Sequence, residues 1–588
     1  MLLTPGLDLA GPLPSGPAET RPGRDPVLKG LPITDLSTGE AILHALNRLA
    51  YGPRPGEVER VRQLGLAKWI DQQLNPRSIN DEATETRLKD LSTLRMSTAS
   101  LIAAYPQAKQ VAGQPPAGAA AKPEMQSGPG GGPDRVLASD GGSNALGSTA
   151  SPMKLPSGNV ATEGGGKRGS LSLDPNAVPR PIADDSKRPA RIVEELAMAK
   201  MTRAVASERQ LQQVMDDFWF NHFNVFAGKG EVRYYLTSYE RDVIEPHALG
   251  KFRDLVTATA KSPAMLFYLD NFLSADPLAA ERLAAQRAKR HEGRGRFPRP
   301  PQNRQANRKK QGRGLNENYG RELMELHTLG VDGGYTQKDV TEVARAFTGW
   351  TIEKPRENPQ FRFEERIHDP DPKFVLGRKI HAGGMKDGEQ VIEQLARHAS
   401  TAKFISTKLA RRFVSDNPPP ALIARMAETF RKKDGDIREV LRTMIYSPEF
   451  WSREAYRAKI KTPFEFVAST VRALGTDVDT AMPLVQWVAR IGEPLYQCQP
   501  PTGYPDRAEA WVNTGALLNR LNFSLALAGN KVRGSRSDTA ALLGPSSTAG
   551  GKVILDRAIQ LFLGGQAGPG TIQTLEKQLD DPQVIEAR

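Results

Sequence analysis

The chain has 588 residues, 39% of them apolar, and a formal net charge of +13; its mean hydropathy of -0.47 is low for one packed body, so part of it is expected to stay solvated. No stretch approaches the roughly 18 consecutive apolar residues of a membrane-spanning helix, and the single cysteine, Cys498, excludes an internal disulfide and thiolate-built zinc or iron–sulfur centres within the chain. The charge is local: from Glu281 to Arg313 twelve Lys or Arg face two Glu, which supplies ten of the thirteen net charges and leaves the remainder nearly neutral.

Taken in order, Met1 to Gly30 carries prolines and glycines where an export signal would need a basic start and an apolar run, so no such signal is visible in the sequence as written. Residues 1–39 are expected to form a disordered Pro-rich lead. Leu43, Leu46 and Leu49 stand at helical spacing, and Glu57 to Leu74 continues the register with Trp69, so 40–106 is expected to be an N-terminal helical part of the core. No Phe, Trp or Tyr occurs between Pro106 and Asp217, and the segment to about residue 190 is dense in Gly, Pro, Ser and Ala. Such a stretch buries too little apolar surface to offset its ordering entropy, which makes 107–190 an expected disordered insertion.

Helical patterning returns at Ile192 and becomes aromatic through Phe218, Trp219, Phe220, Phe223, Tyr234, Tyr235 and Tyr239. This begins a main core over 191–530, interrupted by a basic, Gly/Pro/Gln/Arg-rich insertion over 276–314 that is also expected to be disordered. A helix is expected from Asn318 to Leu329, ending at Asp332-Gly333-Gly334. Thr336-x-x-Asp339 then has the form of a capped start for a helix running to Trp350. Short alternation from Phe361 to Ile380, around Asp369-Pro370-Asp371-Pro372, predicts a strand–turn–strand excursion. Further helices are expected over Gly388–His398, Thr401–Val414, Ala421–Phe430, Ile437–Tyr446, Pro463–Leu474 and Trp511–Ala528, followed by a tail over 531–588 with short helices. The fold class expected is mainly α: a multi-helical core with one small β-hairpin-like excursion and two disordered low-complexity insertions.

Several blocks are specific beyond their periodicity: Leu46-Asn47-Arg48-Leu49 with Tyr51-Gly52-Pro53-Arg54-Pro55; Phe218-Trp219-Phe220-Asn221-His222-Phe223; Pro246-His247-Ala248-Leu249-Gly250; and Ser262-Pro263-Ala264-Met265-Leu266. Asn316-Glu317-Asn318-Tyr319 with Arg321-Glu322-Leu323, Glu325-Leu326-His327 and Leu329-Gly330 is the most specific, followed by Ala344-Arg345-Ala346-Phe347-Thr348-Gly349-Trp350. His368-Asp369, Lys373, Leu376-Gly377, Lys408-Leu409, Phe413 and Lys461-Thr462-Pro463 complete the series. In this order, over roughly 40–100 and 193–530, they resemble the bacterial domain-of-unknown-function 1800 family. The resemblance implies no reaction or ligand. It does imply an envelope or secreted role and a co-encoded exported partner protein, from which the missing signal departs.

For chemistry, steps of three and four residues place Asn318, Glu322 and Glu325 on one helix face and Tyr319, Leu323 and His327 on another. Two carboxylates one turn apart can hold a divalent metal such as zinc, manganese or iron, or act as acid and base, with His222, His247, His327 or His368 arriving from other elements. The plainer account is that Glu317–Arg321 and Arg321–Glu325 are four-residue ion pairs worth a few tenths of a kcal/mol each. His222 stands four residues from Phe218 and from Phe226, like a buried core histidine, while Asp217, Asn221 and Asn224 make the polar side of the same helix and either line a pocket or face water. His368-Asp369-x-Asp371 is a cluster on a turn, either functional or Asx-turn chemistry.

No Gly-x-Ser-x-Gly elbow, His-Glu-x-x-His pair or phosphate-cradling loop occurs. The basic insertion has Phe297 as its one aromatic, so it lacks base-stacking platforms and nucleic acid is not the expected partner. Two function classes survive. One is a hydrolytic or metal-assisted enzyme with Glu322, Glu325, His327 and His222 as catalytic groups and His222, His247, Glu322, Glu325 and His368 as metal ligands. The other is a non-catalytic helical scaffold that binds an exported partner protein. An enzyme requires these groups to meet in one pocket; a scaffold lets them scatter.

Overall fold

Local sequence signals set the helix starts. In the computed structural model, which describes residues 25–106, 188–279, 281–283, 285, 314–381, 383–543 and 550–579, helix α1 (Thr38–Arg48) begins at a capping box in which Ser37 and Glu40 bond each other's backbone N–H. Left-handed Gly65 (φ 88°) splits the expected long second helix into α2 (Glu57–Leu64) and α3 (Leu66–Leu74). The lead expected to be disordered to residue 39 is ordered from Asp25, because Leu31 and Leu36 bury themselves against the core. Most of the two insertions falls outside the described residues. The described residues belong to one compact unit.

Short helices α4 (Glu82–Arg87) and α5 (Thr98–Ala104) complete the N-terminal part. It is bolted to α6 (Ala190–Ala206) by the buried Glu195 carboxylate, which accepts from Thr93 N (2.9 Å) and Thr93 Oγ1 (2.8 Å). Next come α7 (Gln210–His222), α8 (Val232–Ser238), α9 (Phe252–Lys261) and α10 (Pro263–Tyr268). After α8 the chain continues as a π-helix over Tyr239–Ile244. The Asn318 helix differs from expectation in the same way: α11 (Glu317–Glu322) becomes a π-helix over Leu323–Thr328, closed by a Leu329 N to Met324 O bond of 2.7 Å. The wider turn invalidates face assignments made with α-helical steps, and π-segments are enriched at functional sites.

The predicted capping box of Thr336 and Asp339 opens α12 (Gln337–Ala346), which stops before Trp350 rather than at it. Trp350 instead starts β1 (Trp350–Glu353), paired antiparallel with β2 (Gln360–Phe363). A second hairpin pairs β3 (Lys373–Val375) with β4 (Arg378–Ile380), so the single expected excursion is two hairpins. The helices that follow are α13 (Met385–Ala396), α14 (Ala399–Phe413), α15 (Pro420–Lys432), α16 (Ile437–Ile445), α17 (Pro463–Ala473) and α18 (Met482–Ile491). After a helix-poor loop come α19 (Thr514–Ala528), α20 (Thr539–Leu543), α21 (Gly551–Leu563) and α22 (Pro569–Leu579). β5 (Asp477–Val478) and β6 (Ser535–Arg536) form a minimal third pair. Trp219, Trp350, Trp451, Tyr234, Tyr239, Tyr319 and Phe252 are fully buried, each worth roughly 1.5–3 kcal/mol of apolar transfer, and they weld the helices around one mainly α core. Among the described residues no helix is long and apolar enough to cross a membrane.

Candidate functional site

A group of buried charges lies where α6 and α7 meet the loop between α18 and α19. Lys200 on α6 reaches Asp217 on α7 (3.0 Å) and Glu240 on the first π-segment (3.4 Å). Its ammonium sits 5.0, 5.9 and 5.5 Å from the rings of Phe220, Phe464 and Tyr496. An ammonium so enclosed is held by carboxylates and π-faces instead of water. Burial alone would depress it, but the Asp217 and Glu240 charges keep its pKa above the usual lysine range.

The loop from Gly492 to Trp511 forms the opposite wall. Asn221, one turn beyond Asp217, and Asn224, which lies just past the end of α7 rather than on it, pin this wall: Asn221 accepts from Tyr504 N (2.7 Å) and donates to Tyr504 O (2.9 Å), and Asn224 donates to Cys498 O (2.9 Å) and Pro500 O (2.8 Å). Gly503 is obligatory here, because its φ is +73° and a Cβ would come within 2.2 Å of Asn221 O. Between helix and loop is a cavity of about 60 Å³, whose lining includes Lys200, Asp217, Asn221, Arg412, Glu465 and Glu493. That is room for a few waters. A second cavity of about 60 Å³ shares Lys200 and Asp217 and is lined further by Asp216, Glu240 and Glu245.

The carboxyls around these spaces are in contrasting states. Burial, reinforced by the Asp217 charge, pushes Glu493 up to about 8, although its Oε2 accepts from Phe464 N (2.8 Å). Asp216 is pushed well above the carboxylate range by burial and by Glu245 and Glu240, and its Oδ1 has no hydrogen-bond partner among the described residues. Glu465 is equally buried, yet the Arg412 guanidinium bonded to it outweighs that penalty and holds its pKa low. The Cys498 thiol is pushed up to about 11 by burial and Glu493, so it is not a ready nucleophile. Tyr496, in the left-handed region at φ 62°, has its phenol raised by burial and by Glu240. A neutral acid beside a tethered carboxylate is an arrangement suited to proton transfer.

The site residues expected from sequence do not converge. His222 and His327 are neighbours, with ring centroids 6.3 Å apart and His222 Nε2 bonded to His327 O (3.1 Å). They are packed among Trp219, Phe223 and Phe404. Burial and Lys408 push His222 well below its ordinary value and His327 down to about 3. Glu322 and Glu325 are half-buried; burial and Glu325 raise Glu322, and Glu325 accepts from Tyr335 OH (3.1 Å). His247 is elsewhere, its Nδ1 against Val243 O (2.8 Å). His368 belongs to a closed cluster: its Nε2 lies 3.3 Å from Asp387, which also takes the buried Lys373 ammonium at 2.7 Å, and Arg345 clamps Asp369 at 2.7 and 3.2 Å. Asp371 N donates to Asp369 Oδ1 (2.9 Å), the Asx-turn alternative for that turn.

The expected metal-ligand set is therefore dispersed over three places, and among the described residues no three His, Cys, Asp or Glu side chains are grouped to hold a metal ion. Asp217, Asn221 and Asn224, for which pocket and solvent were both open, line the cavity. Lys200, Glu240, Arg412 and Glu493 were missed because they come from four distant segments. The available signal was the aperiodic run Gly492–Trp511, with four prolines and the lone cysteine, inside an otherwise helical chain.

A family model described as "Protein of unknown function (DUF1800)" matches residues 44–588. No curated protein and no solved structure matches the chain.

Proposed function

This chain belongs to the DUF1800 family, whose description assigns no reaction, and from its own site we propose that it is a hydrolytic enzyme working by acid–base catalysis in the cavity between α6, α7 and the 492–511 loop. The observation that supports this reading is the pairing of two unlike carboxyls on one small cavity: Glu493, buried as an acid, and Asp217, tethered to Lys200. Asp217 takes a proton from a water in the cavity as that water adds to the substrate. Glu493 gives its proton to the departing group, and Lys200 and Arg412 stabilise negative charge that develops between them. Ile460, 41% exposed and lining the same cavity, marks the side from which a substrate would enter.

The test is a panel of ester, amide, glycoside and phosphoester substrates assayed with wild type, Glu493→Gln and Asp217→Asn. The reading expects activity on one class that falls at least about 100-fold in either variant, the scale of losing a general acid or base, while circular dichroism shows both folded. Activity retained in both folded variants, or none on any class, sinks it.

A second reading, a non-catalytic scaffold for a partner protein, is favoured by one specific feature. Leu518, Leu521 and Leu525 on α19 are 57%, 56% and 63% exposed, at four- and three-residue spacing on a helix whose exposed face carries no charge. Exposed apolar stripes of this kind mark interaction surfaces. Capture of a folded partner by wild type and not by Leu521→Glu, with no activity on the panel, would favour this reading.

A further inference from the structure

Helix α6 separates the charged cavity from a larger one. Lys200 faces the first, whereas Met201, Thr202, Val205 and Ala206, on the other side of the helix, line a cavity of about 360 Å³. This is the size of a small-molecule site. Of its apolar lining, Met201, Val471 and Leu484 are wholly buried and Ala481 nearly so, which leaves half-buried Val205, Ala206 and Val478 to offer a ligand apolar surface.

The charged groups around it differ in what they have left to offer. Arg472 is committed to Gly52 O (2.7 Å), Val205 O (2.8 Å) and Glu57 Oε2 (2.9 Å), and Arg54 to Glu208 (2.9 Å) and Val205 O (2.7 Å). The Asp81 carboxylate already accepts from Ser207 Oγ, Glu208 N and Thr84 Oγ1. Arg87, at the end of α4, is half-exposed, and its one ion pair among the described residues is a long 3.6 Å contact to Asp477, itself 72% exposed. Its guanidinium therefore has donors to give an incoming anion, and Asp477 can turn to solvent when that anion takes its place.

We propose that this cavity binds a small organic monoanion with an unbranched apolar body, of the class of medium-chain carboxylates: the tail lies over Val205, Ala206 and Val478, and the carboxylate pairs with Arg87. The site is independent of the acid–base chemistry proposed for the other face of α6.

Isothermal titration of the full chain with butanoate, hexanoate, octanoate and octan-1-ol tests it. Each added methylene is expected to tighten binding about three- to fourfold, with octanoate at least about tenfold tighter than octan-1-ol. Arg87→Ala, at a solvent-exposed position, should erase the preference for octanoate over octan-1-ol while the alcohol binds as before. Val478→Trp, at a half-buried lining position, fills the cavity and should abolish both. No octanoate binding at millimolar concentration, affinity independent of chain length, equal binding of acid and alcohol, or affinities unchanged in both variants would each overturn the proposal.

Discussion

Two regions of this molecule bury charge, and they do so to different ends. Around His368 every charged group is consumed: Lys373 is wholly buried on Asp387 and Asp369 O, Asp387 Oδ1 takes Gly383 N (2.9 Å), His368 Nδ1 meets Thr348 O (2.8 Å), and Arg345 spans Asp369 and Glu342. No cavity opens on that cluster among those described, and its residues lock the second hairpin onto α12 and α13. Around Lys200 the charges are as deep but incompletely matched, with Asp216 and Glu493 both pushed toward the neutral acid and with space beside them. Burial of charge alone therefore does not single out a functional site; what distinguishes the proposed one is unmatched valence next to a cavity.

Breaking the closed cluster should have the largest effect. Lys373→Met leaves the buried Asp387 uncompensated and is expected to cost about 3–5 kcal/mol, read as a lower urea midpoint at unchanged slope. The histidine cores come next. His327 and His44 are each held down to about 3 by burial, so the folded state resists a proton that the unfolded chain binds below about 6.5. Stability present above that pH is lost as pH falls from 6.5 toward 3, at roughly 1.4 kcal/mol per pH unit for each histidine. His327→Gln should flatten this acid limb in thermal melts.

The open cluster should behave in the opposite sense. Glu493 has its pKa raised from 4.5 to about 8, so the folded state keeps a proton that the unfolded chain releases, and the group destabilises the fold increasingly from about pH 4.5 up to about pH 8. Glu493→Gln is expected to raise the melting temperature at pH 8, by about 1 kcal/mol or more in stability, and to leave it unchanged near pH 4. A variant that is less stable at pH 8 would place Glu493 with the closed cluster. The smallest effect is expected at the half-buried carboxyl pair on the second π-segment: Glu325→Gln should alter stability by no more than about 0.5 kcal/mol.

Much of the architecture was legible in the sequence because helices announce themselves by periodicity and caps. Thr336 with Asp339 and Thr462 with Glu465 both form capping boxes, and the helices from α13 to α17 lie within a few residues of expectation. The misses have physical causes. Gly65 breaks a register that composition carried through, and the turn at Gly349 diverts Trp350 from helix to strand. The π-segment at Leu323–Thr328 departs from the α-helical steps by which the faces carrying Glu325 and His327 were assigned. The proposed site was legible only in the wall made by α7 and the residues just after it, through Asp217, Asn221 and Asn224. Lys200, Glu240 and Glu493 are assembled by tertiary packing across nearly 300 residues, and no local pattern records that.

The most direct test of the acid–base site is the titration of Glu493 itself, by infrared difference or carbon NMR spectroscopy of carboxyl-labelled glutamate in wild type and Glu493→Gln. The account predicts one glutamate that keeps its proton through neutrality and releases it near pH 8, absent from the variant. A Glu493 carboxyl that titrates with the exposed glutamates, near pH 4 to 5, would contradict it.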